Sequence, residues 1–182
     1  MKIFFATGNE GKVRHADRIL EDVKVRQADV ETIEPSLDSI EEIARAKVEQ
    51  AREKVDNRDS LLIADDSGLF VDSLDGFPGP QTAFFDRKVG KEKLTDLIGD
   101  DNSAEFRAAI ALDLGDDVKV FTGEARGEIV EPRGDGGFGY DPMFLPEGSD
   151  RTWGEDVDQK DEHSHRREAL EELREYIRTG VE

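Results

Sequence analysis

Residues 61–70 read LLIADDSGLF. Three aliphatic side chains and an alanine run straight into two adjacent aspartates, followed by a serine and a glycine. A short apolar run of this kind reads as a buried strand, and GLFVDSL continues the extended path beyond the acidic pair. Two carboxylates side by side at a strand end repel each other, which raises at least one pKa unless a cation is close. Neighbouring side chains of extended backbone point to opposite faces. One aspartate therefore enters a pocket, and the other is free to meet a lysine such as Lys12 or Lys47. Mg²⁺ suits the pocket side, because it is a hard ion held by one or two carboxylates together with phosphate oxygens and water. Taken alone, DDSG after a strand is an ordinary Asx turn, so the rest of the chain has to decide.

Outward from this strand the pattern alternates. KIFFA (2–6) is a short buried strand, TGNEGK turns the chain, and Val13, Ala16, Ile19, Leu20 and Val23 then recur at helical spacing. A further strand falls near 23–28. Ser39 and Glu42 form a capping box ahead of a helix whose apolar stripe is Ile40, Ile43, Ala44, Val48, Ala51 and Val55. DGFPGP is a loop, and the segment from about Gly90 to Ile98 reads as a short helix with Leu94, Leu97 and Ile98 inward. AEFRAAIALDL and VKVFTGEARGEIV form a long antiparallel hairpin across GDD. RGDGGFGYDP, with four glycines in residues 134–139, is a loop, and the last helix presents Ala169, Leu170, Leu173, Tyr176 and Ile177. The order implies an α/β protein with a mixed sheet, and 182 residues without repeat or linker imply one domain over 1–182.

Composition narrows the function. The apolar fraction is only 36% and the net charge is −19, but the apolar residues are periodic and include ten phenylalanines, which is incompatible with disorder. The charge opposes nucleic acid or an anionic membrane as partner. Acidic residues spread over the whole chain suit a halophilic, high-salt cytoplasm, where the Debye length shrinks to about 3 Å at 1 M; an ordinary acidic cytosolic protein is the plainer alternative. With no cysteine there is no disulfide framework and no thiolate metal site. MKIFFATGN has too short an apolar core for a signal peptide, and no segment is long enough to span a membrane, so a cytoplasmic location is expected.

Several other stretches carry possible chemistry. In ATGNEGK the helix start offers free N–H groups and a favourable dipole to an anion, with Thr7 and Asn9 adding side-chain donors and Lys12 a positive charge. The plain reading is a turn with Asn9 as N-cap, and the P-loop pattern is missing. Lys47 interrupts the apolar stripe of its helix; it either snorkels to water or reaches a site on the inner face. GGFGYD offers Phe138 and Tyr140 for stacking on a flat base. KDEHSHRR places His163 and His165 without a third ligand, arguing against metal there, and puts Arg166 and Arg167 at the cation-disfavouring end of the last helix, as an anionic or carbonyl-bearing ligand would require.

In this order the motifs Thr7-Gly8-Asn9-x-x-Lys12, EPSLDSIEEIARAK, ADDSGLFVDSLDGFPGP, GGFGYDPMF and Lys160 five residues before His165 resemble the inosine triphosphate pyrophosphatase family, in its archaeal-like branch. That family hydrolyses non-standard purine nucleoside triphosphates to the monophosphate and pyrophosphate. The resemblance implies an elongated mixed β-sheet flanked by helices, two lobes with a central substrate cleft, and a homodimer. It implies that Thr7, Gly8, Asn9, Glu10, Gly11 and Lys12 hold the triphosphate, with Lys47 facing the phosphates. Glu34 and Asp66 would ligate Mg²⁺, one or more per subunit, with Mn²⁺ as the alternative ion. Asp66 would accept the proton of the attacking water, Asp65 would support it, and Ser67 would contact substrate. Phe138, Gly139, Tyr140, Asp141, Lys160, His165 and Arg166 would recognise the base, Arg166 by donating to a 6-oxo group that adenine lacks. Gln81 replaces an aromatic residue usual after PGP, and Asp161 and His163 also depart from the pattern, which bears on the dimer contact and local cleft shape. The rivals are a pyrophosphatase of modified pyrimidine nucleotides and a non-catalytic nucleotide binder; a binder has no need of a general base.

Overall fold

The structure is a computed structural model and describes residues 1–55 and 60–180. β1 (Lys2–Ala6) leads into α1 (Glu10–Ile19), β2 (Lys24–Ala28), α2 (Ile40–Lys54) and β3 (Leu61–Val71). β4 (Pro78–Gly79), α3 (Thr82–Lys88) and α4 (Leu94–Leu97) follow, then β5 (Ser103–Asp113) and β6 (Val118–Ile129). β7 (Phe144–Pro146), α5 (Val157–His163) and α6 (His165–Thr179) complete the chain. The strands form one seven-stranded sheet in the order β2-β1-β3-β5-β6-β7, with β4 paired to β3. β1 runs parallel to β2 and to β3, whereas β3–β4 and β6–β7 are antiparallel. The sheet is therefore mixed, and helices flank it, as expected of an α/β chain. Among the described residues no helix is long and apolar enough to cross a membrane.

Two compact units divide the chain. One comprises 1–66, 108–123 and the segment from Arg166 onward; the other comprises 67–107 and 124–165. β3, β5 and β6 pass through both. In the first unit Ile3, Phe5 and Ile63 from the strands meet Ala16, Ile19 and Leu20 of α1 and Ala169, Leu170 and Leu173 of α6. The stripes expected on α2 and α6 are buried, except that Val55 caps its helix and Tyr176 is only partly covered. The second unit has its own core, in which Phe106, Phe144 and Trp153 pack with Leu69, Phe85, Leu94 and Met143.

The sequence and the structure part at three places. β3 does not end at the acidic pair: Asp65 and Asp66 lie inside one continuous strand of 11 residues. A strand can carry two carboxylates there because cations meet them on both faces. Residues 90–98 form a 3₁₀ turn (Lys91–Lys93) and the single turn of α4, with Leu97 left 51% exposed rather than inward. α3 and α5 are helices that periodicity does not reveal. Each has only seven residues, and the apolar stripe is reduced to one buried phenylalanine in α3 and to none in α5, where Lys160 is the buried residue.

Candidate active site

Asp66 and Asp65 point to opposite sides of β3, and each finds a different set of partners. Asp65 is buried, and its two oxygens divide between two cations: Lys12 Nζ at 2.8 Å from Oδ1 and Arg166 Nε at 3.1 Å from Oδ2. Asp66 Oδ1 accepts from Lys47 Nζ at 3.1 Å, and the same ammonium lies 3.3 Å from Glu34 Oε2. Asp66 Oδ2 is buried and has no hydrogen-bond partner among the described residues. A lone oxygen of this kind is costly unless something else engages it.

The elements that position these groups follow from local sequence. Asn9 caps α1, its side-chain oxygen accepting from the N–H groups of Gly11 at 2.9 Å and Lys12 at 3.3 Å. Thr7 Oγ1 accepts from Asn9 N at 3.2 Å. The opening turn thus closes on itself, and Lys12, one turn in, lies against Asp65. Glu10 is exposed and pairs with Arg14 at 3.3 Å; Gly8, also exposed, has open space where a Cβ would stand. Ser39 caps α2 by accepting from Glu42 N at 3.2 Å, and its hydroxyl donates to Glu41 Oε2 at 2.7 Å. From α2, Lys47 reaches inward to Asp66 instead of out to water.

The charges tune one another. Burial raises the Asp65 carboxyl, but Lys12 and Arg166 outweigh it and hold it well below the usual carboxylate range. Burial pushes Asp66 up to about 6, with Glu34 and Asp65 adding to the rise against the pull of Lys47. Burial lowers Lys12, helped by Arg166 and Lys47 and only partly offset by Asp65. Burial also acts downward on Lys47, yet Asp66, Asp65 and Glu34 together raise it. One carboxylate is locked ionised while its neighbour is poised near neutrality, the separation that acid–base chemistry uses.

The remaining residues gather in the second unit. Lys160 Nζ lies 2.6 Å from Asp141 Oδ2 and 3.9 Å from the centroid of the Phe138 ring. Asp141 Oδ2 also accepts from Phe138 N at 2.7 Å. The Phe138 ring is 64% exposed, whereas Tyr140, Asp141, Lys160 and His165 are buried. His165 stacks on Phe106 at 5.1 Å and on Trp153 at 5.9 Å. Ser67 is half-buried on β3. Arg166, which follows His165 directly, donates to Asp65 and belongs to the first unit. Phe106 and Trp153 escape sequence reasoning because each reads as ordinary core.

A cavity of about 480 Å³ in the second unit is lined by Asp72, Glu105, Arg126, Glu128 and Glu147 among others and shares no residue with either group. Four carboxylates against one guanidinium make it hostile to a polyphosphate.

A sequence model of the Ham1 family matches residues 3–176, and the chain belongs to that family. A Methanopyrus kandleri protein named dITP/XTP pyrophosphatase is 42% identical, the match covering 100% of this chain and 98% of that protein. A Thermococcus kodakarensis protein of the same name is 39% identical over the full length of both. Among solved structures, the Staphylococcus aureus Ham1 protein superposes with a TM-score of 0.85 at 32% identity, covering 98% of this chain and 99% of that one.

Proposed function

We propose that this protein hydrolyses non-standard purine nucleoside triphosphates (dITP, XTP and ITP) to the monophosphate and pyrophosphate. Relatives named dITP/XTP pyrophosphatase match over the whole chain, and the observation that carries the chemistry is Asp66. Its Oδ2 is buried without a hydrogen-bond partner, and its carboxyl is raised to about 6. In this reading Asp66 accepts the proton of the attacking water, a role for which a pKa near the working pH is best. Lys12 and Lys47 offset charge on the phosphates, with the turn from Thr7 to Lys12 beside them. Asp65 keeps Lys12 and Arg166 in place from beneath. Phe138 offers an exposed ring to the base, and Gly139, Tyr140, Asp141, Lys160, His165, Arg166 and Ser67 complete substrate recognition.

Two carboxylates, Glu34 and Asp66, share Lys47, one of them with a buried oxygen lacking any hydrogen bond. This oxygen pair fits a hard cation such as Mg²⁺ or Mn²⁺. No three His, Asp or Glu side chains gather into a metal site among the described residues, so phosphate oxygens and water would complete the ligand set. When bound, such an ion supplies neutralisation of the polyphosphate charge. Homodimerisation is part of the same reading, supported by Phe77, Phe84 and Val89, which are 46%, 52% and 52% exposed in the second unit. So is a cytoplasmic location.

The test is a panel of dITP, XTP, ITP, ATP, GTP, TTP and UTP incubated with the protein with and without Mg²⁺, scored for pyrophosphate. Turnover of the 6-oxo non-standard purines above the rest, and only with the metal, is expected. Preference for TTP or UTP would assign a pyrimidine enzyme instead, and binding without any turnover would leave a nucleotide binder.

A further inference from the structure

We propose that Lys91 is a positioning residue that latches the glycine-rich loop and thereby holds the Phe138 ring in place for a flat heteroaromatic base. The inference rests on the reading above, in which this loop receives the base.

Backbone hydrogen bonds from Gly136 N to Gly154 O and from Gly154 N to Asp141 O, both at 2.9 Å, tie the two ends of the loop. Gly134, Gly137 and Gly139 have φ of 78°, 70° and 60°, so their backbone occupies the region where glycine is at ease and where it also has most freedom to lose. Phe138 is 64% exposed, so its side chain contributes little core packing, and Lys160 Nζ lies 3.9 Å from its ring centroid. Tyr140 is buried in the core of the unit, and the residues around it are held by polar contacts. On one side Asp141 Oδ2 accepts from Phe138 N at 2.7 Å and is itself held by Lys160 at 2.6 Å. On the other, Lys91 Nζ donates to the Gly139 carbonyl at 2.6 Å, across 48 residues of chain. The two lysines thus hold the loop at residues on either side of Tyr140: Lys91 at Gly139 and Lys160 at Asp141.

Lys91 is itself held firmly. α3 ends with Gly90 at φ 93°, its N–H bonding back to Asp86 O at 3.0 Å and Phe85 O at 3.3 Å. The next N–H, that of Lys91, donates to Asp86 Oδ1 at 3.2 Å. Phe85 on the same helix is buried in the core, which ties this corner to the unit. A second tie runs from Tyr140 OH to the Thr82 carbonyl at the start of α3, at 3.4 Å. The α3 corner therefore grips the loop at two successive residues, 139 and 140. A charged donor on a carbonyl is the stronger kind of hydrogen bond. Lys93, two residues on, is spent on an exposed pair with Asp96 at 3.1 Å and has no comparable reach.

The experiment compares wild type with Lys91→Met, Lys91→Gln and Lys91→Arg. Isothermal titration calorimetry without divalent metal measures inosine triphosphate binding independently of turnover. Hydrogen exchange over 133–141 reports the loop itself. Both neutral variants should melt like wild type, exchange faster over 133–141, and bind inosine triphosphate with Kd and KM raised about tenfold, the loss expected of one charge-assisted hydrogen bond. kcat should stay within about twofold, as for a residue acting on binding rather than on the reacting atoms, and Lys91→Arg should recover most of the affinity. Unchanged exchange in both neutral variants would overturn the latch. Faster exchange with unchanged Kd would overturn its link to the base. Failure of the wild type to bind inosine triphosphate would overturn the proposed function and the base contact with it, while the exchange data still decide the latch.

Discussion

From Asp65 to Asp66 the backbone of β3 changes face, and with it everything the carboxylate meets. Asp65 is neutralised by Lys12 at 2.8 Å and Arg166 at 3.1 Å; Asp66 has one ammonium to share with Glu34. The consequence is measurable by carboxyl NMR titration of the metal-free protein. Asp66 should titrate near pH 6, whereas a midpoint at or below about 4, the ordinary Asp value, would contradict the burial argument. Its folded value is raised above its unfolded one. Its contribution to stability is therefore complete below the unfolded value and is lost as the pH climbs through about 6. Lys47→Met removes the one cation that lowers it, so the midpoint should rise by about one unit or more. An unchanged midpoint would mean that Lys47 is not the partner that matters.

At the scale of elements, β3 runs close against β4 just beyond the Asp pair. Leu69 pairs with Gly79, and a Cβ on the neighbouring Gly68 would come within 2.6 Å of the Gly79 carbonyl carbon. Backbone on both sides cannot yield as a flexible side chain would. Gly68→Ala should cost about 1–3 kcal/mol, read as a lower urea midpoint with the same m-value; wild-type stability would refute the close approach. Long elements were legible because their periodicity runs for several turns, as on α2, where Lys47 stands out within the stripe. α3 and α5 were not, since neither carries a buried stripe. α3 is fixed by Thr82, whose hydroxyl donates to Gly79 O at 2.6 Å and accepts from Leu69 N at 2.8 Å, and α5 by the Lys160–Asp141 pair. Such tertiary contacts leave no trace in local spacing. The Asp pair stood out in the sequence but was misread as a strand end, because the cations that let the strand continue come from positions 12, 47 and 166.

At the scale of the whole molecule, most motif residues were legible, but their grouping was not. Arg166 lies 101 residues from Asp65 in the chain, and no spacing rule could have paired them. The net charge of −19 acts on the entire fold. Self-repulsion weakens as the Debye length falls to about 3 Å at 1 M salt, so the melting temperature should be higher in molar KCl than in dilute buffer; a lower one would contradict a fold strained by its own charge. Hydrolysis turns on Asp66 acting as base toward water on a bound triphosphate, and ³¹P NMR of inosine triphosphate with Mg²⁺ follows substrate and products together. Wild type should give pyrophosphate and monophosphate. Asp66→Asn should still bind the nucleotide but release pyrophosphate more slowly by a factor of about 10²–10⁴, the usual worth of a general base. Wild-type rates in that variant would contradict the account.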